Sequence, residues 1–420
     1  MKYLIETIGC QMNVCESDTL SEALSDYEML KVSNVSDADI IILNTCSVRS
    51  QAEQKAFSYI GRIEDLKKQN PNVKVVVIGC MAERLGTKIR KRFKSVDLVL
   101  GIKDIDKFAL KIVNLCKFNT VNSDVLVNNT SQIISYVTII RGCNNFCSYC
   151  VVPFVRGREV SLDNQTILNQ CQKFVQNGTK EIMLLGQNVN SYKYGQTNFV
   201  SLVRDICKID GLKRLRFMTN HPKDLSDELI ELIANEKKIC HHIHLPMQSG
   251  SNKILKAMNR KYTYEYYLEL VYKLRTKVPE ISITTDIIVG FPEETDKDFN
   301  DTFEAIKNIR FDGLYVFKYS PRPNTKASNM LDDVPLEEKK NRLSIILNEA
   351  NKISSEIVSS MVGKTLEVLT DNFYDNTLEA KTKSGRKVFI KNANKDYLGK
   401  ILNVCIEESK VHSLFGNIVV

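Results

Sequence analysis

The sequence predicts an α/β protein in three parts: a doubly wound parallel-sheet domain, a central (β/α)6 partial TIM barrel and a small all-β barrel at the C-terminus. Three observations carry this. From Lys2 to about Cys116, short apolar β-rich runs alternate with polar stretches of helical length, the pattern of strands buried on both faces of a parallel sheet. Six further strand–helix repeats follow, which suits a barrel whose chemistry lies at the C-terminal ends of its strands. After Gly363 the helical stretches give way to short strand-like runs separated by turn residues. The boundaries implied are 1–118, a linker at 119–132, 133–360 and 361–420.

In the first part the strands are expected at Tyr3–Ile8, Ala38–Asn44, Val73–Ile78 and Val96–Leu100. Asn119 to Gln132, rich in Asn, Ser and Thr, reads as the linker. The second series places strands at Tyr136–Arg141, Glu181–Leu185, Arg214–Met218, His242–Leu245, Ile283–Val289 and Leu314–Tyr319. Helices are expected between them, among others at Asp227–Asn235, Tyr264–Lys277 and Asp296–Ile309, and a long polar helix runs from Leu336 to about Met361. Lys383-Ser384-Gly385 and Leu398-Gly399-Lys400 are turns of the final barrel.

With 420 residues, 43% hydrophobic and 26% charged, the chain has ample material for a core and none of the bias of a fibrous or disordered protein. It has no uncharged apolar run approaching the roughly 18 residues that cross a bilayer. Met1 to Gly9 ahead of Cys10 looks briefly like a lipoprotein signal, but it is short and interrupted by Glu6, so it reads as the first strand. A cytoplasmic protein is expected. In a reducing compartment disulfides are rare, and clustered cysteines point to metal or catalysis. The formal charge of +8 permits an RNA partner and fits a slightly basic solvated surface equally well.

Two cysteine patterns stand out among the twelve cysteines. Cys143, Cys147 and Cys150 form a C-x3-C-x2-C loop directly after a predicted strand. Three thiolates this close can hold three irons of a [4Fe–4S] cluster and leave the fourth open. An open iron can be chelated by S-adenosylmethionine (SAM), whose reductive cleavage gives a 5′-deoxyadenosyl radical. Zinc would want a fourth Cys or His nearby, and the sequence supplies none; buried inert thiols are the other alternative. Tyr149 is placed to pack beside an adenine or in the core. Gly186, Gln187 and Asn188 end the second barrel strand and Gly290 the fifth, where glycine permits close approach to a ligand. As isolated motifs these are equally turns.

The second pattern is distributed. Cys10, Cys46 and Cys80 each lie just beyond a predicted strand, about one βα repeat apart. Parallel strands end on one edge, so the three thiols would converge where such sheets bind ligands. Three unrelated buried thiols are the competing account. Cys15, Cys116, Cys171, Cys207, Cys240 and Cys405 show no partner pattern and read as structural. His241, His242 and His244 lie on one strand and are expected to face alternate sides, which favours packing over a shared metal.

Cys10-Gln11-Met12-Asn13, Asn44-Thr45-Cys46, Gly79-Cys80-Met81-Ala82 and the three-cysteine loop, in this order, resemble the methylthiotransferase family. Leu185 to Tyr192, His244 to Ser251 and Tyr319 to Pro323 extend the resemblance over essentially the whole chain. Gln-Met-Asn after Cys10 is similar to the MiaB-type tRNA enzymes; the ribosomal-protein S12 and threonylcarbamoyladenosine branches usually carry other residues there. Cys15 departs from the family, which more often has an acidic or polar residue nearby.

The resemblance implies a methylthiotransferase domain, a radical SAM domain and a TRAM domain that binds tRNA. It implies two [4Fe–4S] clusters, held by Cys10, Cys46 and Cys80 and by Cys143, Cys147 and Cys150, with SAM at the second. The implied reaction adds a methylthio group to C2 of N6-isopentenyladenosine at position 37 of the anticodon loop, one SAM giving the methyl group and another the radical. An electron donor such as a flavodoxin or ferredoxin and a monomeric state complete the expectation. Action on threonylcarbamoyladenosine or ribosomal protein S12, and a non-enzymatic iron–sulfur RNA-binding module, are the alternatives. Nine Lys/Arg against seven Asp/Glu from Met361 onward leave the tRNA role of the last domain resting on resemblance more than on charge.

Overall fold

The computed structural model describes residues 1–47, 50–116 and 132–419. They fall into two compact units, one comprising Met1–Thr130, Arg141–Asn144 and Cys150–Val160, the other Ser131–Ile140, Asn145–Tyr149 and Ser161–Val420. The expected linker at 119–132 lies outside the described residues except for Gln132.

The first unit is built on a five-stranded parallel sheet. Across it run Leu30–Lys31, Lys2–Ile8, Ile40–Thr45, Lys74–Gly79 and Leu98–Gly101. The apolar runs divide by alternation, since successive strand residues face opposite sides. Ile41, Leu43, Val75 and Val77 pack with Ala56, Ile60 and Ile63 of helix Ser50–Gln69 on one face. Ile40, Ile42, Val76 and Ile78 pack with Leu20, Leu24, Phe108 and Ile112 on the other. Helices on both faces make the sheet doubly wound, as expected. The two-residue edge strand Leu30–Lys31 escaped the sequence reading, being too short to show a pattern.

This strand order has its topological switch point between Lys2–Ile8 and Ile40–Thr45, where the connections leave in opposite directions and open a crevice at the carboxyl ends. Those ends are in register: Ile8 pairs with Thr45, and Thr45 with Gly79.

In the second unit six parallel strands form two three-stranded sheets. One has the order Arg214–Phe217, Glu181–Leu185, Ile134–Thr138, and the other His242–His244, Ser282–Val289, Gly313–Lys318. The first predicted strand is broken at Ile139, giving Ile134–Thr138 and Ile140–Arg141. The long helix spans Leu336–Ser359. The last five strands close into a barrel around Val368, Leu378, Ala380, Val388, Val404 and Leu414.

Two buried arginines fasten this barrel to the strand Arg214–Phe217. Arg214 Nη1 donates to Lys381 O at 2.7 Å, and Nη2 donates to Glu367 Oε1 at 2.9 Å. Arg216 Nε donates to Glu181 Oε1 at 2.8 Å, and its Nη1 and Nη2 donate to Lys383 O and Thr382 O. Buried charges persist only when paired and hydrogen-bonded in this way. Among the described residues no helix is long and apolar enough to cross a membrane.

Candidate metal and cofactor sites

Cys10 caps the helix Gln11–Ser25, Cys46 follows the strand Ile40–Thr45, and Cys80 opens the helix Cys80–Leu85 directly after Gly79. The registered strand ends therefore bring all three cysteines to one edge of the sheet. Cys10 is exposed, while Cys46 and Cys80 are buried. Hydrogen bonding with the Cys46 thiol, reinforced by the charge of Arg156, holds the Cys10 thiol well below its ordinary range. Burial pushes Cys80 the other way, up to about 11, against the pull of Arg156.

The motif residues beside these cysteines act as fasteners. Asn13 and Asn44 are fully buried and bond to each other, Asn13 Nδ2 donating to Asn44 Oδ1 at 3.0 Å and Asn44 Nδ2 to Asn13 O at 2.9 Å. Asn13 Oδ1 accepts from the Cys10 backbone N at 3.2 Å and from Cys10 Sγ at 3.4 Å. On the far side of Cys46, Arg84 bridges Ser47 Oγ and both oxygens of Glu53 at 2.8 Å. Neither clamp was anticipated from sequence, although the asparagines belong to the quoted motifs.

Two further groups escaped the sequence reading. Arg156 Nε donates to Cys80 Sγ at 3.1 Å and Nη1 donates to Glu16 Oε1 at 2.5 Å. In the second unit Arg260 Nη1 donates to Cys147 Sγ at 3.3 Å, Nη2 to Pro246 O at 3.1 Å and Nε to Tyr262 Oη at 2.9 Å. Both arginines lie far in sequence from the cysteines they serve, so no local spacing announces them. Asn259 Nδ2 also donates to Phe146 O at 2.8 Å, holding the loop from the same short segment.

Among the described residues, no three His, Cys, Asp or Glu side chains are grouped to hold a metal ion. A cubane is wider than a single ion, and its thiolates do not converge on one point. The donors suit such a cluster: three cysteines in each set, with an arginine donating to one sulfur in each.

At the carboxyl ends of Glu181–Leu185 and Arg214–Phe217, the buried oxygens Gln187 Oε1, Asn188 Oδ1 and Asn220 Oδ1 lack a partner within the protein. Buried polar atoms are rarely left so, and these three ask for a donor from a bound polar group. The amino group and ribose hydroxyls of SAM are such donors. Asn188 is oriented by its Nδ2, which donates to Asp224 Oδ2 at 2.7 Å. The neighbouring His221 is held neutral, its imidazole driven down to about 2 by burial and by Arg260 and Lys223.

A Cβ on Gly186 would meet Ile140 Cγ2 at 2.1 Å, and one on Gly290 would meet Lys339 Cγ at 2.3 Å. The room beside both glycines is filled by the chain itself, and Gly290 also has φ +67°. Packing at Gly186 and backbone shape at Gly290 each call for glycine, whether or not a ligand also approaches. Tyr149 packs partly buried against a cluster containing Met258, Phe291 and Tyr319. His242 and His244, two residues apart on a strand, share a face, and both bond Thr284 Oγ1. Of the six cysteines read as structural, Cys15, Cys171, Cys207 and Cys240 are buried, while Cys116 and Cys405 are only partly so.

The chain matches three families: uncharacterized protein family UPF0004 over residues 2–101, the radical SAM superfamily over 137–306 and the TRAM domain over 359–419. Solved structures share the fold. The radical SAM methyltransferase TsrM of Kitasatospora setae, with tryptophan substrate and a SAM analog bound, superposes with TM-score 0.58 at 12% identity, covering 89% of this chain and 79% of that one. The cobalamin-dependent SAM radical enzyme OxsB gives 0.53 at 13% identity, over 83% and 56% of the two chains. The class is thus that of a radical SAM enzyme with [4Fe–4S] and SAM as cofactors. Among curated relatives, the tRNA-2-methylthio-N(6)-dimethylallyladenosine synthase of Endomicrobium trichonymphae is 62% identical over the full length of both chains. The synthase of the same name from Thermodesulfovibrio yellowstonii is 43% identical over 99% of this chain and 98% of that one. The chain belongs to this family of radical SAM tRNA methylthiotransferases.

Proposed function

We propose that this enzyme places a methylthio group on C2 of N6-isopentenyladenosine at position 37 of tRNA, in the cytoplasm, as a monomer supplied with electrons by a flavodoxin or ferredoxin. The observation that carries the reading is the pair of three-cysteine sets, each with one buried arginine on a sulfur. Cys143, Cys147 and Cys150 would hold the cluster that binds SAM, and Cys10, Cys46 and Cys80 would hold the auxiliary cluster. When bound, these groups supply one-electron chemistry and a carbon radical, which an unactivated adenine C2–H requires and acid–base catalysis cannot replace. Gln187, Asn188 and Asn220 would accept hydrogen bonds from SAM. Asn13 and Asn44 keep Cys10 and Cys46 at one crevice. An anticodon-loop base is single-stranded and enters a pocket without opening a duplex.

Nucleoside analysis tests this directly. Expressed in a bacterium lacking its own synthase, the chain is expected to restore 2-methylthio-N6-isopentenyladenosine to tRNA; an unchanged profile would overturn the reading.

The C-terminal barrel offers a surface for the loop bases. Phe389 and Phe415 are paired across adjacent strands and stack with ring centroids 5.4 Å apart. Lys391 and Lys410 hold their ammonium groups 5.7 and 5.0 Å from the Phe415 ring centroid. Half-buried aromatics flanked by lysines suit stacked bases and phosphates, each stacked base contributing about 1–3 kcal/mol. Replacing both phenylalanines with alanine is expected to raise KM for tRNA about tenfold or more. A KM that stayed put would remove the pair from the tRNA surface.

A further inference from the structure

Arg156 caps the C-terminus of the short helix Val152–Val155; Val155 and the preceding Val151 pack on Cys80. Its guanidinium is divided between the Cys80 sulfur and the Glu16 carboxylate, and the two charged side chains are only 5% and 7% exposed. Glu16 Oε2 has no hydrogen-bond partner, so the side chain's hydrogen bonding is directed at Arg156. Solvent therefore screens this pair little. A buried ion pair is weak support for stability by itself and needs another reason to be kept. Its position against a cluster-facing thiol supplies one.

We propose that Arg156 is a positioning residue of the auxiliary cluster, fixing a positive charge on the Cys80 sulfur that favours the reduced cluster, with Glu16 tempering that charge. The proposal rests on the assignment of Cys10, Cys46 and Cys80 as ligands. Reduction adds one electron, hence one negative charge, to a thiolate-bound cluster. Hydrogen bonds to the sulfurs and nearby net charge are what set such potentials. Arg156 stabilises the added charge and Glu16 opposes it, so removing one or the other moves the potential in opposite directions. Arg156 also stands only six residues after Cys150. One short segment thus carries a sulfur ligand of the SAM-facing cluster and the charge on the auxiliary one.

The test is a redox titration, read by electron paramagnetic resonance, of the full-length protein reconstituted anaerobically with both clusters. A Cys80→Ala protein, which retains the Cys143–Cys150 cluster alone, assigns the signals. Arg156→Gln is expected to lower the ratio of reduced to oxidised auxiliary cluster at a fixed potential about tenfold, as the loss of one charge-assisted hydrogen bond implies. For a one-electron couple that is about 59 mV. Glu16→Gln is expected to raise the ratio, and Arg156→Lys to restore most of it, with the other cluster unmoved throughout. Shifts of the same sign in Arg156→Gln and Glu16→Gln, or no shift, would overturn the role of Arg156 while leaving the ligands in place. A Cys80→Ala protein that kept both clusters would instead overturn the ligand assignment, and the proposal with it. If Arg156→Gln binds too little iron to titrate, Glu16→Gln alone decides by its sign.

Discussion

Replacing Cys147 with alanine is expected to abolish reductive SAM cleavage, whereas replacing Cys80 is expected to leave cleavage intact and abolish methylthiolation. Each variant should also lose about four of roughly eight irons per chain, one cluster's worth. The split follows from how the two sets are built. Cys10, Cys46 and Cys80 hang on strand ends held by the Asn13–Asn44 pair, which makes no use of the loop at 143–150. Cys147 is held by Arg260 and its loop by Asn259, residues that come from the second series of strands and helices. Removing one of these cysteines therefore leaves the other scaffold standing. Cys171→Ala serves as the control, because its buried thiol, pushed up to about 12 by desolvation, belongs to the packing of helix Asn164–Gln176. Its iron content should equal that of the wild type. Iron and sulfide analysis with chromatographic detection of 5′-deoxyadenosine reads all three. If SAM cleavage disappeared equally in Cys80→Ala and Cys147→Ala, the division of labour between the sets would be wrong.

How much of this was legible beforehand depended on how local each signal is. Helices Asp227–Asn235, Tyr264–Lys277 and Asp296–Ile309 appear at their expected bounds. Ser226, Thr263 and Thr295 cap them, accepting from backbone N–H groups a turn later, and that chemistry is written in adjacent residues. The strand ends were legible too, so the shared edge of Cys10, Cys46 and Cys80 could be argued from spacing alone. What spacing cannot show is a contact across a hundred residues of chain. Arg156 with Glu16, and Arg260 with Cys147, are of that kind. The glycines are ambiguous in the opposite way. Gly186 and Gly290 stood where a ligand was expected, but a missing Cβ reports only that something is close, and here it is Ile140 and Lys339. The orphaned oxygens belong to Gln187 and Asn188, which position had already marked, and to Asn220, on the next strand's end, which no motif marks.

Arg260 should prove the most sensitive residue outside the cysteines. It is buried, and each arm of its guanidinium has a different acceptor: Tyr262 Oη, Cys147 Sγ and Pro246 O. Tyr262 in turn donates to the carbonyls of Pro246 and Met247 at 3.0 and 2.9 Å, and burial raises its own hydroxyl to about 12, so it remains a donor. Arg260→Met removes the cation that donates to the Cys147 sulfur and leaves Pro246 O without one of its donors. Breaking a buried charge network from one side costs about 3–5 kcal/mol. The expected outcome is a large fall in the denaturant midpoint, together with loss of about four irons and of SAM cleavage. Arg260→Lys keeps the charge but not the planar fork, and one ammonium on a flexible stem cannot serve three acceptors set at these angles. It should recover part of the stability and little of the cleavage. The two readouts separate the roles: a lysine variant with wild-type iron and wild-type SAM cleavage would mean that only charge matters at this position, and the fork geometry around Cys147 would lose its significance.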